Sequence, residues 1–150
     1  QALRENPEVP MAGEMSGHFF FHDRWNGFDD SLYATARLIQ LVAQDNKSFS
    51  SLFDGIPSYP STGEAKVPLT GDREETMDAV RAAYADMDYS AVDGVRVRYS
   101  DGWYLCRPSN TEPILVMRAE AESEVSLDAI KSDVEERLGD FINLEKFHSA

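Results

Sequence analysis

Three short stretches in the second half of the chain predict β-strands: the first alternates valines with arginines, and the other two are short, mostly apolar runs whose successive side chains would point to opposite faces. They cover residues 95–99, 103–107 and 114–119, and Ser-Asp-Gly at 100–102 indicates a hairpin turn between the first two. Helical periodicity lies on either side of them. The apolar faces of these two helices are formed by Met77, Val80, Tyr84, Leu127, Ile130, Val134 and Leu138. This order predicts an α+β domain in which two helices cover one face of an antiparallel sheet.

The helices and one further strand can be placed from their ends. The first helix is predicted over residues 73–85. Ser126 is the expected N-cap of the second helix, because a serine hydroxyl can accept a hydrogen bond from an amide of the first turn. Ala-Lys-Val at 65–67 predicts one short strand, and Pro68 confines it to an edge of the sheet because proline has no amide hydrogen.

The first third of the chain has a different pattern. Three phenylalanines at 19–21 predict a buried strand. Asp-Asp-Ser at 29–31 opens a helix that should end near residue 45, since carboxylates are favourable at the positive end of a helix. Between residues 46 and 70 the composition shifts to Ser, Pro, Gly and Thr, which predicts a connection between two domains. The expected apolar face of the helix is formed by Leu32, Thr35, Ala36, Ile39 and Val42.

Residues 107–113, Arg-Pro-Ser-Asn-Thr-Glu-Pro, form a polar loop between two of the predicted strands. Arg107 offers a forked cation, and the loop adds two hydroxyls, an amide and backbone N–H groups, a set that suits a phosphate monoester. The two prolines restrict the backbone, so less conformational freedom is lost when an anion binds. An ordinary turn, in which Ser109, Asn110 and Thr111 bond their own backbone, explains the same residues equally well.

A second candidate is the loop at residues 13–18, Gly-Glu-Met-Ser-Gly-His. Glu14 can accept two hydrogen bonds, and Ser16 can both donate and accept one, which suits the hydroxyls of a sugar. His18 is a weaker candidate by itself. A glycine-rich turn with solvated side chains is the alternative interpretation.

No metal or nucleotide motif is assigned in this sequence. His22, Asp23, Asp29 and Asp30 could be considered as metal ligands, but acidic residues that open a helix have a sufficient structural reason. Neither a Walker loop nor a dinucleotide fingerprint is found.

The composition limits the partners and the compartment. The chain has 14 Lys and Arg against 27 Asp and Glu, a formal net charge of −13, which disfavours nucleic acid and anionic membranes as partners. No apolar run approaches the roughly 20 residues of a membrane span. Cys106 is the only cysteine, so no intrachain disulfide can form, and the reducing cytoplasm is the simplest expectation. The first residue is Gln1 rather than Met, and we expect the chain to be a piece of a longer protein.

Four segments together resemble the α-D-phosphohexomutases, in the phosphomannomutase/phosphoglucomutase branch. They are residues 13–18 (GEMSGH), 24–30 (RWNGFDD), 93–103 (DGVRVRYSDGW) and 107–113 (RPSNTEP). Met15 and Asn110 are typical of the hexose branch, since glucosamine-type relatives usually have Gln and Gly at these positions. Ala12 departs from the family pattern, in which glycine is frequent.

The resemblance implies a division into domains. Members of the family have four domains around a deep cleft. Residues 1–52 would be the C-terminal part of the third, sugar-binding domain, which makes them the end piece of an α/β domain. Residues 53–70 would be a linker that includes the short edge strand, and residues 71–150 would be the fourth, phosphate-binding domain.

The resemblance also implies a role for each candidate residue. Glu14 and Ser16 would bind sugar hydroxyls. His18 would contact the substrate or move a proton. The phosphate that is not being transferred would be held by Arg107, Ser109, Asn110 and Thr111.

The reaction implied is the interconversion of hexose 1-phosphate and hexose 6-phosphate, of mannose, glucose or both, through a phosphoserine and a bisphosphorylated sugar with Mg²⁺. The family's phosphoserine loop and its Asp-Gly-Asp-x-Asp-Arg magnesium loop are not found here, so this chain alone should be inactive. Its partners would be a hexose phosphate and the remaining domains of the parent enzyme. A hypothesis of another class is a noncatalytic module that binds a sugar phosphate and reports it to a partner.

Overall fold

The structure is a computed structural model that describes residues 6, 8–14, 16–45 and 48–149. The chain folds into two compact units, Gln1–Ile56 and Pro57–Ala150. The predicted α+β class is confirmed, because the second unit combines a five-stranded antiparallel sheet with helices. Within the described residues, no helix is long and apolar enough to span a lipid bilayer.

The described residues of the first unit form a β-hairpin and one long helix. Strand β1 (Met11–Gly13) pairs antiparallel with β2 (Phe19–Phe21). Helix α1 (Ser31–Asp45) follows, and then a short 3-10 helix (Phe49–Phe53). The predicted helix and its end near residue 45 are therefore confirmed.

An aromatic cluster holds α1 against the hairpin. Tyr33 meets Phe21 edge to face, with ring centroids 5.5 Å apart, and stacks on Trp25 at 4.5 Å. Arg37, one turn later, lies 4.8 Å over the Phe21 ring. Its hydrogen bond to Asp23, at 2.8 Å, lowers the pKa of that carboxyl. Helix α1 therefore faces the hairpin with Tyr33 and Arg37.

Two predictions about burial in the first unit are wrong. Leu32, Thr35, Ala36 and Ile39, from the expected apolar face of α1, are exposed, and Val42 is only half-buried. Apolar residues occupy more than half of the circumference of this helix, and the aromatic contacts select a different part of it from the one expected. Of the strand at 19–21 only Phe21 is buried, and it is the one buried side chain among the unit's described residues.

The sheet of the second unit has the strand order β3-β7-β6-β5-β4, with every neighbouring pair antiparallel. The strands are β3 (Ala65–Pro68), β4 (Tyr89–Ser90), β5 (Val95–Arg98), β6 (Gly102–Pro108) and β7 (Ile114–Ala121). The three predicted central strands and the predicted edge strand β3 are present. Strand β4, at the other edge, was not predicted, because two residues are too few to show a periodic pattern.

Three helices cover one face of this sheet: α2 (Arg73–Ala83), α3 (Glu124–Leu138) and the short α4 (Glu145–His148). Helix α2 contacts β5 and β6, α3 contacts β6 and β7, and α4 contacts β3. All seven residues of the two predicted apolar faces are buried. Helix α4 adds Phe147, which is fully buried and was not predicted, because a helix of four residues shows no periodicity.

The N-cap of α3 is Ser123 rather than the predicted Ser126. The Ser123 hydroxyl accepts a hydrogen bond from the Ser126 amide at 3.1 Å. The Ser126 hydroxyl instead donates to the carboxylate of Asp101, in the turn between β5 and β6. Both serines have the chemistry of a cap, and the true start of α3 decides between them.

Candidate functional site

Loop 107–113 lies at the end of the β6–β7 hairpin. The register pairs Arg107 with Val116, and the Ser109 amide donates to the Ile114 carbonyl at 2.9 Å. Strand β6 is the central strand of the five-stranded sheet, and β7 lies between β6 and β3. The loop is therefore held by rigid backbone on both sides.

Ser109 organises the backbone of this loop. Its Oγ accepts hydrogen bonds from the amides of Thr111, at 3.3 Å, and Glu112, at 3.2 Å. This is the local turn chemistry that the sequence left open as the alternative, and it removes two amides from the set expected to bind an anion. The side chains of Asn110 and Thr111 are exposed. The anion-binding groups of the loop are therefore its side chains more than its backbone.

Arg107 lies on the sheet face away from the helices, since its neighbour Cys106 faces the core. The side chain is 32% exposed, and Nε lies 3.8 Å from Oδ2 of Asp93. A pair this long with an exposed carboxylate contributes little to stability. Because a guanidinium has five N–H donors, the terminal nitrogens can still form a bidentate contact with a phosphate.

Gly94 packs directly on the backbone of Arg107. Its φ of +79° is in the left-handed region, and a Cβ at this position would lie 2.6 Å from Cβ and 2.7 Å from Cα of Arg107. The turn before β5 can therefore approach the end of β6 only with glycine here. The adjacent Cys106 is buried, and burial raises the pKa of its thiol to about 12, so the thiol is protonated at neutral pH.

Loop 13–18 is the connection of the β1–β2 hairpin. The Glu14 amide donates to the His18 carbonyl at 2.9 Å, and the Gly17 amide donates to the Glu14 carbonyl at 3.0 Å. The Ser16 hydroxyl donates to the Glu14 carboxylate at 3.1 Å. The structure therefore brings the predicted residues Glu14, Ser16 and His18 into one exposed turn, while Met15 lies outside the described residues.

His18 has a carboxylate partner. Its Nδ1 lies 2.6 Å from Oδ2 of Asp29, and the two side chains are 52% and 47% exposed. Both residues border a cleft of about 310 Å³ that also includes Phe19 and Ser31. The sequence interpretation missed this pair because it assigned Asp29 to the helix N-terminus. The available signal was the presence of two consecutive acidic residues where a helix needs one cap.

The acidic residues considered as metal ligands are engaged elsewhere. Asp23 pairs with Arg37, Asp29 with His18, and Asp30 accepts a hydrogen bond from the Tyr33 amide at the start of α1. In the described parts of the chain, no group of three or more His, Cys, Asp or Glu residues is arranged to hold a metal ion.

Two family models match the chain. The model described as "Phosphoglucomutase/phosphomannomutase, C-terminal domain" matches residues 64–137. The model described as "Phosphoglucomutase/phosphomannomutase, alpha/beta/alpha domain III" matches residues 1–59.

Individual proteins give the same result. The chain is 43% identical over 125 residues to phosphomannomutase/phosphoglucomutase from Pseudomonas aeruginosa, which covers 81% of this chain and 27% of that protein. It is 31% identical over 134 residues to phosphomannomutase from Methanocaldococcus jannaschii, which covers 89% of this chain and 29% of that protein. The chain thus spans less than a third of the length of these relatives.

A solved structure from the same family also matches this chain. The crystal structure of a phosphoglucomutase/phosphomannomutase family protein from Burkholderia thailandensis matches with a TM-score of 0.77 and 42% sequence identity. The match covers 93% of this chain and 30% of that protein.

Proposed function

The chain belongs to the phosphoglucomutase/phosphomannomutase family, and from this premise we propose that it is the C-terminal part of a phosphohexomutase. The enzyme interconverts the 1-phosphate and 6-phosphate of mannose or glucose. The observation that supports this reaction best is Arg107, half-buried at the end of a rigid hairpin beside exposed hydroxyl and amide groups. That arrangement suits a phosphate monoester.

In this proposal the two loops have separate tasks. Loop 107–113 binds the phosphate that is not being transferred, through the fork of Arg107 and the side chains of Asn110 and Thr111, while Ser109 keeps the loop backbone in place. Loop 13–18 binds sugar hydroxyls through Glu14 and Ser16. His18 contacts the substrate and moves a proton.

The proposed domain boundaries follow the same division. Residues 1–52 are the C-terminal part of the sugar-binding domain, residues 53–70 are a linker, and residues 71–150 are the phosphate-binding domain. Within the linker, residues 65–68 form strand β3, whose pairing with β7 attaches the linker to the sheet of the phosphate-binding domain.

The phosphoryl donor and its cation come from other parts of the parent enzyme in this proposal. A phosphoserine supplies the phosphoryl group, Mg²⁺ neutralises charge during transfer, and a bisphosphorylated hexose is the intermediate. This chain contributes the positioning of the substrate, which lowers the entropic part of the barrier. The reaction takes place in the cytoplasm, where the single buried Cys106 stays reduced.

Mixing this chain with a polypeptide that carries the phosphoserine and magnesium loops tests the proposal. We expect conversion of glucose 1-phosphate to the 6-phosphate only with both polypeptides, Mg²⁺ and a trace of the 1,6-bisphosphate. Arg107→Ala should lower kcat/KM by about 10- to 150-fold, which corresponds to the roughly 1.5–3 kcal/mol of a hydrogen bond to a charged group. Arg98→Ala is the matched control, because Arg98 is 71% exposed and pairs with Asp88 at 3.0 Å.

Two results would contradict the proposal. Turnover by this chain alone, absent from an Arg107→Ala preparation made in the same way, would show that the donor is not needed from another polypeptide. If the two polypeptides associate and bind hexose phosphate but convert none of it, the noncatalytic binding module becomes the better account.

A further inference from the structure

The carboxylate of Asp29 contacts the imidazole of His18, a contact that opening helix α1 does not require. Nδ1 of His18 lies 2.6 Å from Oδ2 of Asp29. The cap of α1 is already provided by Asp30, whose carboxylate accepts a hydrogen bond from the Tyr33 amide at 2.9 Å. The two consecutive acidic residues therefore have different partners, and the partner of Asp29 is the histidine.

Backbone contacts hold both members of the pair beside strand β2. The carbonyl of His18, the residue just before β2, accepts a hydrogen bond from the Glu14 amide at 2.9 Å. Asp29 forms an isolated antiparallel bridge with Phe20, in the middle of β2. The ring and the carboxylate therefore project from two segments that are fixed to the same strand.

The chemistry of this contact determines where the histidine carries its proton. A carboxylate can only accept a hydrogen bond, so the proton of a neutral imidazole beside it has to be on Nδ1. Nε2 then has a free electron pair. We propose that Asp29 is a positioning residue that makes Nε2 of His18 the acceptor for the proton of a sugar hydroxyl, an inference that rests on the proposed function.

The proton and electron balance of the step is complete with the phosphoserine as donor. The O–H bond of the sugar hydroxyl breaks, and its proton forms the Nε2–H bond. The electron pair of the hydroxyl oxygen forms the new bond to phosphorus, and the bond between phosphorus and the serine oxygen breaks with its pair left on that oxygen. The imidazolium that results is stabilised by the adjacent Asp29 carboxylate.

The tautomer of His18 can be measured on this chain without any enzymatic activity. In ¹⁵N spectra at a pH where the imidazole is neutral, we expect Nδ1 of His18 to show the resonance of a protonated nitrogen and Nε2 that of an unprotonated one. Substitution of the other histidines, His22→Gln and His148→Gln, assigns the signals.

Three variants separate the Asp29 contact from its surroundings. In Asp29→Asn the amide can donate to Nδ1, so the proton should move to Nε2, as in the wrong-tautomer variant of the serine protease triad. Asp29→Glu keeps the carboxylate and should keep most of the original tautomer. Asp30→Asn is the control, because it removes one neighbouring charge while asparagine still caps the helix, and it should leave the tautomer unchanged.

Activity in the mixture with the donor polypeptide provides the second readout. Asp29→Asn should lower kcat by about 10- to 100-fold, which is less than the roughly 10²- to 10⁴-fold that a general base contributes because the imidazole itself remains, and leave KM within about twofold. Asp29→Glu should recover most of the lost kcat. A purely structural role would not produce this split between kcat and KM.

The outcomes test the role of Asp29 separately from the proposed reaction. An unprotonated Nδ1 in the unmodified chain, with the hairpin folded, would overturn the role of Asp29. A normal kcat in Asp29→Asn would overturn it as well. If the mixture with unmodified chain is inactive while the tautomer shifts as expected, the proposed reaction is wrong and the positioning of the ring by Asp29 is upheld.

Discussion

The two candidate loops stand on supports of different kinds. Loop 107–113 joins neighbouring strands of a five-stranded sheet whose inner face is covered by three helices. The hydrophobic core cluster lies entirely in that second unit. Loop 13–18 joins two strands of three residues each, and Phe21 is the one buried side chain among the described residues of its unit.

This contrast shows how the same kind of polar turn can be fixed in two ways. Around Arg107, buried strands and the close approach of Gly94 restrict the backbone before any ligand arrives. Around His18, the geometry depends on a few exposed polar and aromatic contacts, among them the Asp29 carboxylate. Local stability follows the number of buried apolar contacts, so the two loops should open with different free energies.

Hydrogen exchange should reveal the largest difference between the two units. We expect amides of β5, β6 and β7 to exchange roughly 10³-fold or more slowly than amides of β2 and α1, because the core cluster of the described residues lies in the second unit. The measurement is native-state exchange resolved by peptide or by residue. Equal protection of Phe19–Phe21 and Ile114–Ala121 would break the contrast and indicate that the first unit is stabilised by packing or self-association.

Truncation of one leucine in each unit should give the next largest difference. Leu138 is fully buried in the core, and Leu138→Ala should lower the free energy of unfolding of the second unit by about 2–5 kcal/mol. Leu32 is 83% exposed on α1, and Leu32→Ala should change the free energy of unfolding of the first unit by less than about 0.5 kcal/mol.

Each unit has its own tryptophan with which to read this experiment. Urea unfolding can be followed by Trp25 in the first unit and by Trp103 in the second, each in a background where the other is phenylalanine. A loss of more than about 1 kcal/mol in Leu32→Ala would show that α1 buries this side chain in solution.

Alanine substitution at one glycine with positive φ in each unit should give a smaller difference in stability. Gly94→Ala should destabilise the second unit by about 2–4 kcal/mol, since left-handed strain is added to a clash with Cys106 and Arg107. Gly17 has a φ of +87°, but no atom of the described residues lies within 4 Å of an added Cβ, so Gly17→Ala should lower the free energy of unfolding only by the roughly 1–2 kcal/mol of the backbone strain. The same tryptophan-resolved unfolding curves measure both changes. If both variants lose the same free energy of unfolding, the turn at Gly94 must shift to accommodate a methyl group.

Much of the second unit was readable from the sequence because its periodic pattern is long and is satisfied within the unit. The pattern around Arg107 predicted the strand that the structure has, and the apolar stripe ending at Leu138 predicted the buried face of its helix correctly. Strand β4, with two residues, and helix α4, with four, are too short to repeat a pattern and gave no such signal. In the first unit the same reasoning placed α1 but chose the wrong face, because apolar residues occupy more than half of the circumference of that helix.

The sequence alone determined the residue types of the candidate site and the loops that present them. Glu14, Ser16 and His18 lie within one turn, and Arg107 is the first residue of loop 107–113, so chain order brings each set together. Only the tertiary structure decided the partners across the chain, which are Asp29 for His18 and Asp93 for Arg107. Aspartate before a helix fits a cap, a metal ligand or a histidine partner equally well, and the distance of a few ångströms that selects one of them depends on how separate segments pack.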